Sequence, residues 1–237
     1  MLSIRLSLAI PILAALVTLF TPARASGGDW HFELSTTFAS QYLWRGFVLN
    51  DTPVLQPAVS FGYKGLSITS WSNFAHRGPN GQNWTEHDLS VDYAHHVGKL
   101  GLSAGYILYW FPDLTSAQGN RSQEFYAGVA FDAPLNPSFT FYRDVDQGDG
   151  NYFYLSGRRS WTLGKGVALN SSLGLGLNNG QWIDNTTISN FDVSISIDIP
   201  AGKVTFSPFF TQMIGHRTLF GTHNAFGVNL SVLDLSF

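Results

Sequence analysis

The sequence predicts an all-β fold, a transmembrane antiparallel up-and-down β-barrel of about 12 strands. Three observations carry this. Apolar and polar residues alternate with period two in run after run. Short Gly-containing turns alternate with long polar loops. Charged residues are scarce, at 12% against 15% aromatic.

Residues 1–25 read as a cleaved signal peptide. Arg5 supplies the positive start, and Leu6 to Phe20 is apolar apart from Ser7, Pro11 and Thr18. Ala23-Arg24-Ala25 then gives the small-x-small pattern cut by signal peptidase. The apolar run is too short to cross a bilayer as a helix. Residues 26–237, 212 of the 237 once the first 25 are removed, form one outer-membrane barrel domain. The chain has no cysteine, which excludes a lipid-anchored N-terminus, disulfides and thiolate metal sites. Without Arg5 and Arg24, 11 of the 13 basic residues remain against 16 acidic ones, a balance that argues against a nucleic-acid partner. No segment after residue 25 nears the roughly 18 consecutive apolar residues of a spanning helix, so a crossing must use strands.

Phe191 to Ile199 shows the alternation most plainly, with large apolar residues at odd positions and Asp or Ser at even ones. Val167 to Leu177 repeats it: Leu169, Leu173, Leu175 and Leu177 share one face, and Asn170, Ser172, Gly174 and Gly176 the other. A soluble sandwich alternates too. The connections separate the two. The runs place strands at 30–47, 53–63, 66–76, 85–97, 100–111, 122–132, 138–146, 151–163, 166–178, 188–199, 203–214 and 223–237. Alternate pairs are joined tightly, by Lys64-Gly65, Gly98-Lys99, Ala133 to Pro137, Gly164-Lys165 and Pro200 to Gly202. Segments 77–84, 112–121, 179–187 and 215–222 are longer and polar. Short turns at one end and long loops at the other are the outer-membrane pattern, and an even strand number puts both chain ends on the short-turn, periplasmic side.

Phe237, preceded on its face by Leu235 and Leu233, resembles the C-terminal signal read by the barrel assembly machinery. That machinery is an expected partner, as are outer-membrane lipid and lipopolysaccharide. Phe226, Val228, Leu230 and Val232 lie on the opposite phase from Leu233, which calls for a bulge near Val232. Tyr42, Trp44 and Phe47, and Tyr106, Tyr109, Trp110 and Phe111, sit at the long-loop ends of their strands. Trp161, Phe206 and Phe237 sit at the other end, as two interfacial girdles require.

The polar face of the strands is the lumen face. It carries Glu33, Gln41 and Arg45 on the first strand, Gln56 and Ser60 on the second, and Glu86, Asp88, Ser90, Asp92 and His96 on the fourth. Later strands add Glu124, Tyr142, Asp144, Tyr152, Tyr154, Arg158, Asp192 and Asp198. Charges in such a place need partners or water, since an unpaired buried charge costs several kcal/mol. They read as pore-lining residues that select solutes. The alternative is a lumen filled by mutual ion pairs, because about 12 strands lie between barrels that are just filled and barrels that hold a channel. Acidic residues prevail in the lining and favour cations, while Arg45 and Arg158 offer a local anion site.

His76 and His87 flank one long loop, and His216 and His223 another. A barrel enzyme acting on lipid at the outer rim would place a Ser–His pair there. The sequence has no Gly-x-Ser-x-Gly or other nucleophile signature, and the adjacent His95 and His96 point to opposite faces of a strand, so neither catalysis nor a metal or other cofactor is expected.

Ser40-Gln41-Tyr42-Leu43-Trp44-Arg45-Gly46 resembles the Ser-x-Tyr-x-x-Arg-Gly signature of the TorF-type porin family of Gram-negative outer-membrane barrels. Gly105-Tyr106-Ile107-Leu108-Tyr109-Trp110-Phe111-Pro112 is similar to the Gly-Tyr-x-x-Tyr-x-x-Pro stretch of that family. Glu124 to Gly128 and Tyr152 to Leu155 follow in the expected order. Val48 to Pro53, running straight into a Pro-containing second strand, departs from the pattern, as in a sister family. The resemblance implies a bacterial outer-membrane porin.

The expected function is passive diffusion of small hydrophilic solutes through a constriction lined by Arg45, Glu33, Asp88, Asp92, Asp192 and Arg158, with loops 112–121 and 179–187 over the mouth. The alternatives are the rim enzyme and a structural or adhesive barrel with a filled lumen.

Overall fold

The computed structural model describes residues 30–78, 81–216 and 220–233. The expected signal peptide and Phe237 lie outside the described residues. Twelve antiparallel strands close a barrel. They are β1 (Trp30–Ala39), β4 (Val54–Tyr63), β5 (Leu66–Ala75), β6 (Trp84–Val97), β7 (Leu100–Trp110), β8 (Arg121–Phe131), β9 (Ser138–Asp144), β10 (Asn151–Gly164), β11 (Val167–Asn179), β12 (Thr186–Ala201), β13 (Val204–Gly215) and β14 (Thr222–Leu233). Two short strands, β2 (Tyr42–Trp44) and β3 (Phe47–Asn50), form a hairpin apart from the barrel sheet. β1 closes the ring: Ala39 pairs with Val54 on one side and with Gly227 on the other.

The alternation dictates which side chains face out. In β12, Phe191, Val193, Ile195, Ile197 and Ile199 are exposed on the outer wall, while Asp192, Ser194, Ser196 and Asp198 point inward. The other strands follow the same inversion of a soluble protein, with an apolar exterior and polar interior. A closed ring leaves no unpaired strand edge, which is the condition for backbone to lie in hydrocarbon. Lys64 and Gly65 both take positive φ, 47° and 87°, the two-residue turn whose twist matches antiparallel strands. Trp161 and Phe206 are exposed on the outer wall near the tight turns, where an interfacial girdle would sit.

Three expectations are corrected. The first barrel strand ends at Ala39 rather than residue 47: Ser40 and Gln41 bend, and Tyr42–Asn50 turns into the lumen as the β2–β3 hairpin. A hairpin strand alternates with the same period as a wall strand, so the run looked continuous. Tyr42, Trp44, Tyr109 and Phe111, assigned to the girdle, are buried; Tyr42 and Trp44 belong to the hairpin. The register of β14 runs unbroken through Val232, which pairs with Leu34 and Val204, so no bulge sits there. The same register carries on to Leu233, which pairs with Glu33.

Candidate functional site

The lumen has two unlike halves. Toward the tight turns, inward positions such as Ser60, Thr69, Ser103, Thr140, Ser156, Ser172 and Ser196 carry small polar side chains in contact with solvent. Toward the long loops, the hairpin and large side chains fill the space: Tyr42, Trp44, Leu49, Trp71, Tyr109 and Phe111 are buried together.

The hairpin turns at Arg45 and Gly46, with φ of 45° and 102°. Glycine suits that conformation and arginine does not, a backbone cost of about 1–3 kcal/mol that surrounding contacts must outweigh. Those contacts are strong. Arg45 Nη1 and Nη2 donate to Glu124 Oε2 and Oε1 at 2.7 and 2.8 Å, a two-pronged pair on β8. Nη1 also donates to Gln181 Oε1 at 2.7 Å, and Gln181 Nε2 donates back to Glu124. The guanidinium carbon lies 4.1 Å from the ring centre of Tyr142, 4.5 Å from Tyr152 and 4.7 Å from Trp44. The side chains of Arg45 and Glu124 are only 3% and 0% exposed, so the charges balance each other out of reach of water.

The wall side of this cage is held independently of the hairpin. Tyr109 Oη donates to Glu124 Oε1 at 3.0 Å and Tyr152 Oη to Asn190 Oδ1 at 3.1 Å. Asn178 grips the backbone of Gln181 through two bonds of 2.9 Å. Elsewhere the hairpin meets the wall through side chains, Tyr42 Oη to Glu86 Oε2 at 3.4 Å and Asn73 Nδ2 to Asn50 Oδ1 at 2.9 Å.

The predicted lining residues fall at several depths. Arg45 sits on the hairpin tip and not on the wall, so it lines no ring with Glu33 or Arg158. Glu86 and Asp88 lie buried under the hairpin on the inward face of β6. Asp144 is buried too, but it holds loop 145–150 through Ser122 Oγ and the backbone N–H of Asp146 and Gly148. Further down, Asp92 accepts from Ser90 and Tyr126, and Asp192 from Tyr154 at 3.0 Å and Asn190 at 2.7 Å. Asp198, with Asn170 at 2.9 Å and Ser207 at 2.7 Å, Glu33 and Arg158 belong to the solvent-reached half. Tyr152, which touches Arg45, and Arg158 are six residues apart on β10, about 20 Å of strand, so the two arginines form no common anion site. Sequence reasoning passed over Gln181 and Asn178 and put Tyr109 and Trp44 in a girdle; the detectable signal was Arg45-Gly46 between aromatic residues, a two-residue turn.

Tyr126, Tyr152 and Tyr154 lie against Gly105, Gly176 and Gly174. A Cβ on Gly174 would stand 1.8 Å from Tyr154 Oη, so only glycine admits the ring there.

Of the four rim histidines, His87 faces outward on β6 and its Nδ1 bonds Ser72 Oγ at 2.9 Å. Its ring packs edge-on against Trp84 and Trp110. His223 faces the lumen and bonds the Phe220 carbonyl at 2.7 Å, and His76 and His216 lie in loops. Among the described residues no three His, Asp or Glu side chains converge as metal ligands.

No family model matches the chain, and no curated protein does. Solved structures are similar in fold. The NanC porin covers 86% of this chain with all of its own, at 10% identity and a TM-score of 0.54. For the KdgM porin the figures are 84% of this chain and 98% of its own, 12% and 0.55. An outer-membrane channel from Pseudomonas putida F1 covers 87% of this chain and 96% of its own, at 9% identity and 0.51. At these identities the likeness establishes the porin-type barrel fold.

Proposed function

We propose that this protein is a narrow outer-membrane channel for small hydrophilic solutes, closed in this conformation by the hairpin Tyr42–Asn50. One observation carries the reading. The lumen is blocked by a hairpin that is not part of the wall, while the half nearer the tight turns is left open by small polar side chains. A barrel built only as a structural pin would be expected to fill that half as well. The apolar exterior and the fold likeness to porins support an outer-membrane setting, with lipid and lipopolysaccharide around the wall and the tight turns in the periplasm. The Ser-x-Tyr-x-x-Arg-Gly signature, whose Tyr42, Arg45 and Gly46 are all hairpin residues, supports kinship with the TorF-type porins. Neither catalysis nor a cofactor is part of this reading. Arg45 and Glu124 latch the hairpin to the wall; the acidic residues below favour cations among the solutes that enter.

Planar-bilayer conductance of refolded residues 26–237, with the reversal potential measured across a salt gradient, tests this. A small cation-preferring conductance that rises in Arg45→Ala is expected. A sealed bilayer for both proteins, with heat-modifiable gel mobility showing a folded barrel, would overturn the channel and favour the filled structural barrel.

A further inference from the structure

Arg45 is held as a ligand is held. Its planar fork meets a carboxylate with two parallel bonds, an amide oxygen takes a third, and aromatic faces lie over the cation. A carboxylate with an aromatic cage is the general chemistry for recognising organic cations, and the fork selects guanidinium over ammonium. Of the described residues that touch the guanidinium, only Trp44 comes from the hairpin. Glu124, Tyr142 and Tyr152 stand on wall strands, and Gln181 on the loop after β11. Glu124, Tyr152 and Gln181 are hydrogen-bonded on the wall side and Tyr142 packs against the rings of Tyr126 and Tyr152, so withdrawal of the hairpin leaves the cage standing, except that Glu124 loses its counter-charge. The left-handed backbone at Arg45 adds to this: the side chain is kept at a position where its backbone is uncomfortable. The approach is also right. Asp92, Asp192, Asp198 and Glu33 outnumber Arg158 in the half below and would raise the local concentration of cations.

From this we infer that Glu124, Gln181, Tyr142 and Tyr152 form a binding site for small guanidinium-bearing solutes, which Arg45 occupies in the closed state as a tethered mimic. The inference rests on the channel reading and names its solute class. A solute of that class competes with Arg45 for the cage and, by winning, releases the hairpin. The tether gives Arg45 an effective concentration of order millimolar, so free guanidinium must reach roughly that level to displace it.

The test uses refolded residues 26–237 carrying Arg45→Ala, checked for folding by heat-modifiable mobility. The probes are guanidinium chloride and arginine amide, with sodium chloride and urea as controls. Tryptophan fluorescence reads binding without any current. Saturable binding of both probes to Arg45→Ala is expected. It should weaken roughly tenfold or more when Glu124→Gln is added, and be weaker in the wild type, whose cage is taken. Conductance of Arg45→Ala should fall as the probes bind. A folded Arg45→Ala that binds neither probe saturably, or binds them equally well with Glu124→Gln, overturns the site. If Arg45→Ala fails to fold, Arg45→Lys keeps the hairpin charge without the fork; the probes must then displace the lysine, and absence of saturable binding again overturns the site. Binding in a bilayer that stays sealed would sink the channel reading alone; current without binding would sink the site alone.

Discussion

Arg45 and Glu124, 79 residues apart in the chain, meet in a buried two-pronged pair that joins the tip of a lumenal hairpin to the opposite wall. It closes the long-loop half of the barrel together with the Tyr42–Glu86 and Asn50–Asn73 contacts and the buried aromatic side chains around the hairpin. Removing one partner leaves the other charge buried and unpaired. Glu124→Ala is therefore expected to destabilise the barrel by about 3–5 kcal/mol, measured by urea unfolding in micelles. Glu124→Leu combined with Arg45→Met should lose clearly less than the single change. Equal losses would mean that the pair adds nothing beyond packing.

Hairpin movement can be stopped chemically. The chain has no cysteine, and the Asn50 and Asn73 side chains already meet at 2.9 Å. Asn50→Cys with Asn73→Cys, bridged by a short bis-methanethiosulfonate, is expected to lower conductance, with recovery on reduction. Conductance indifferent to a bridge verified by mass would show that solutes pass without hairpin displacement.

Ion preference should follow the acids of the open half. Asp92→Asn and Asp192→Asn keep the oxygen that accepts from Tyr126 and Tyr154, so the fold survives while the charge goes. The double variant is expected to move the reversal potential toward zero across a salt gradient. An unchanged potential would place the selective level elsewhere.

The Ser72–His87 bond lies on the outer face, between strands, in an aromatic setting. It is a cross-strand pair of the ordinary strength of about 0.2–1 kcal/mol. Ser72→Ala should cost no more than that in unfolding and leave conductance unchanged. Acyl-ester hydrolysis by the wild type that vanishes in Ser72→Ala and in His87→Ala would instead make the barrel an enzyme.

Asp144 holds its loop by accepting from Ser122 and two backbone N–H groups. Asp144→Ala is expected to speed proteolysis within 145–150 and cost about 1–3 kcal/mol, with ion preference untouched. A shifted preference would return Asp144 to the lining.

The strands were legible because alternation is a local property: Phe191 to Ile199 declares its two faces without reference to any other residue. Connection length is equally local, and it separated a membrane barrel from a soluble sandwich. The first strand was overrun for the same reason, since Tyr42 to Trp44 alternates whether it lies in a wall or folds inward. Asp144 was read as lining because its charge and phase suit either role, and only the Ser122 contact distinguishes them.

The sequence by itself determined an antiparallel barrel with an apolar exterior, a polar and mainly acidic interior, and long loops at one end. Those follow from side-chain period and turn chemistry within a few residues. Only the tertiary structure decided that Tyr42–Asn50 enters the lumen and that Arg45 finds Glu124 and Gln181, which stand 79 and 136 residues away. The physical reason is that such a contact depends on which walls face each other once the ring has closed, and no local pattern encodes the far side of a barrel.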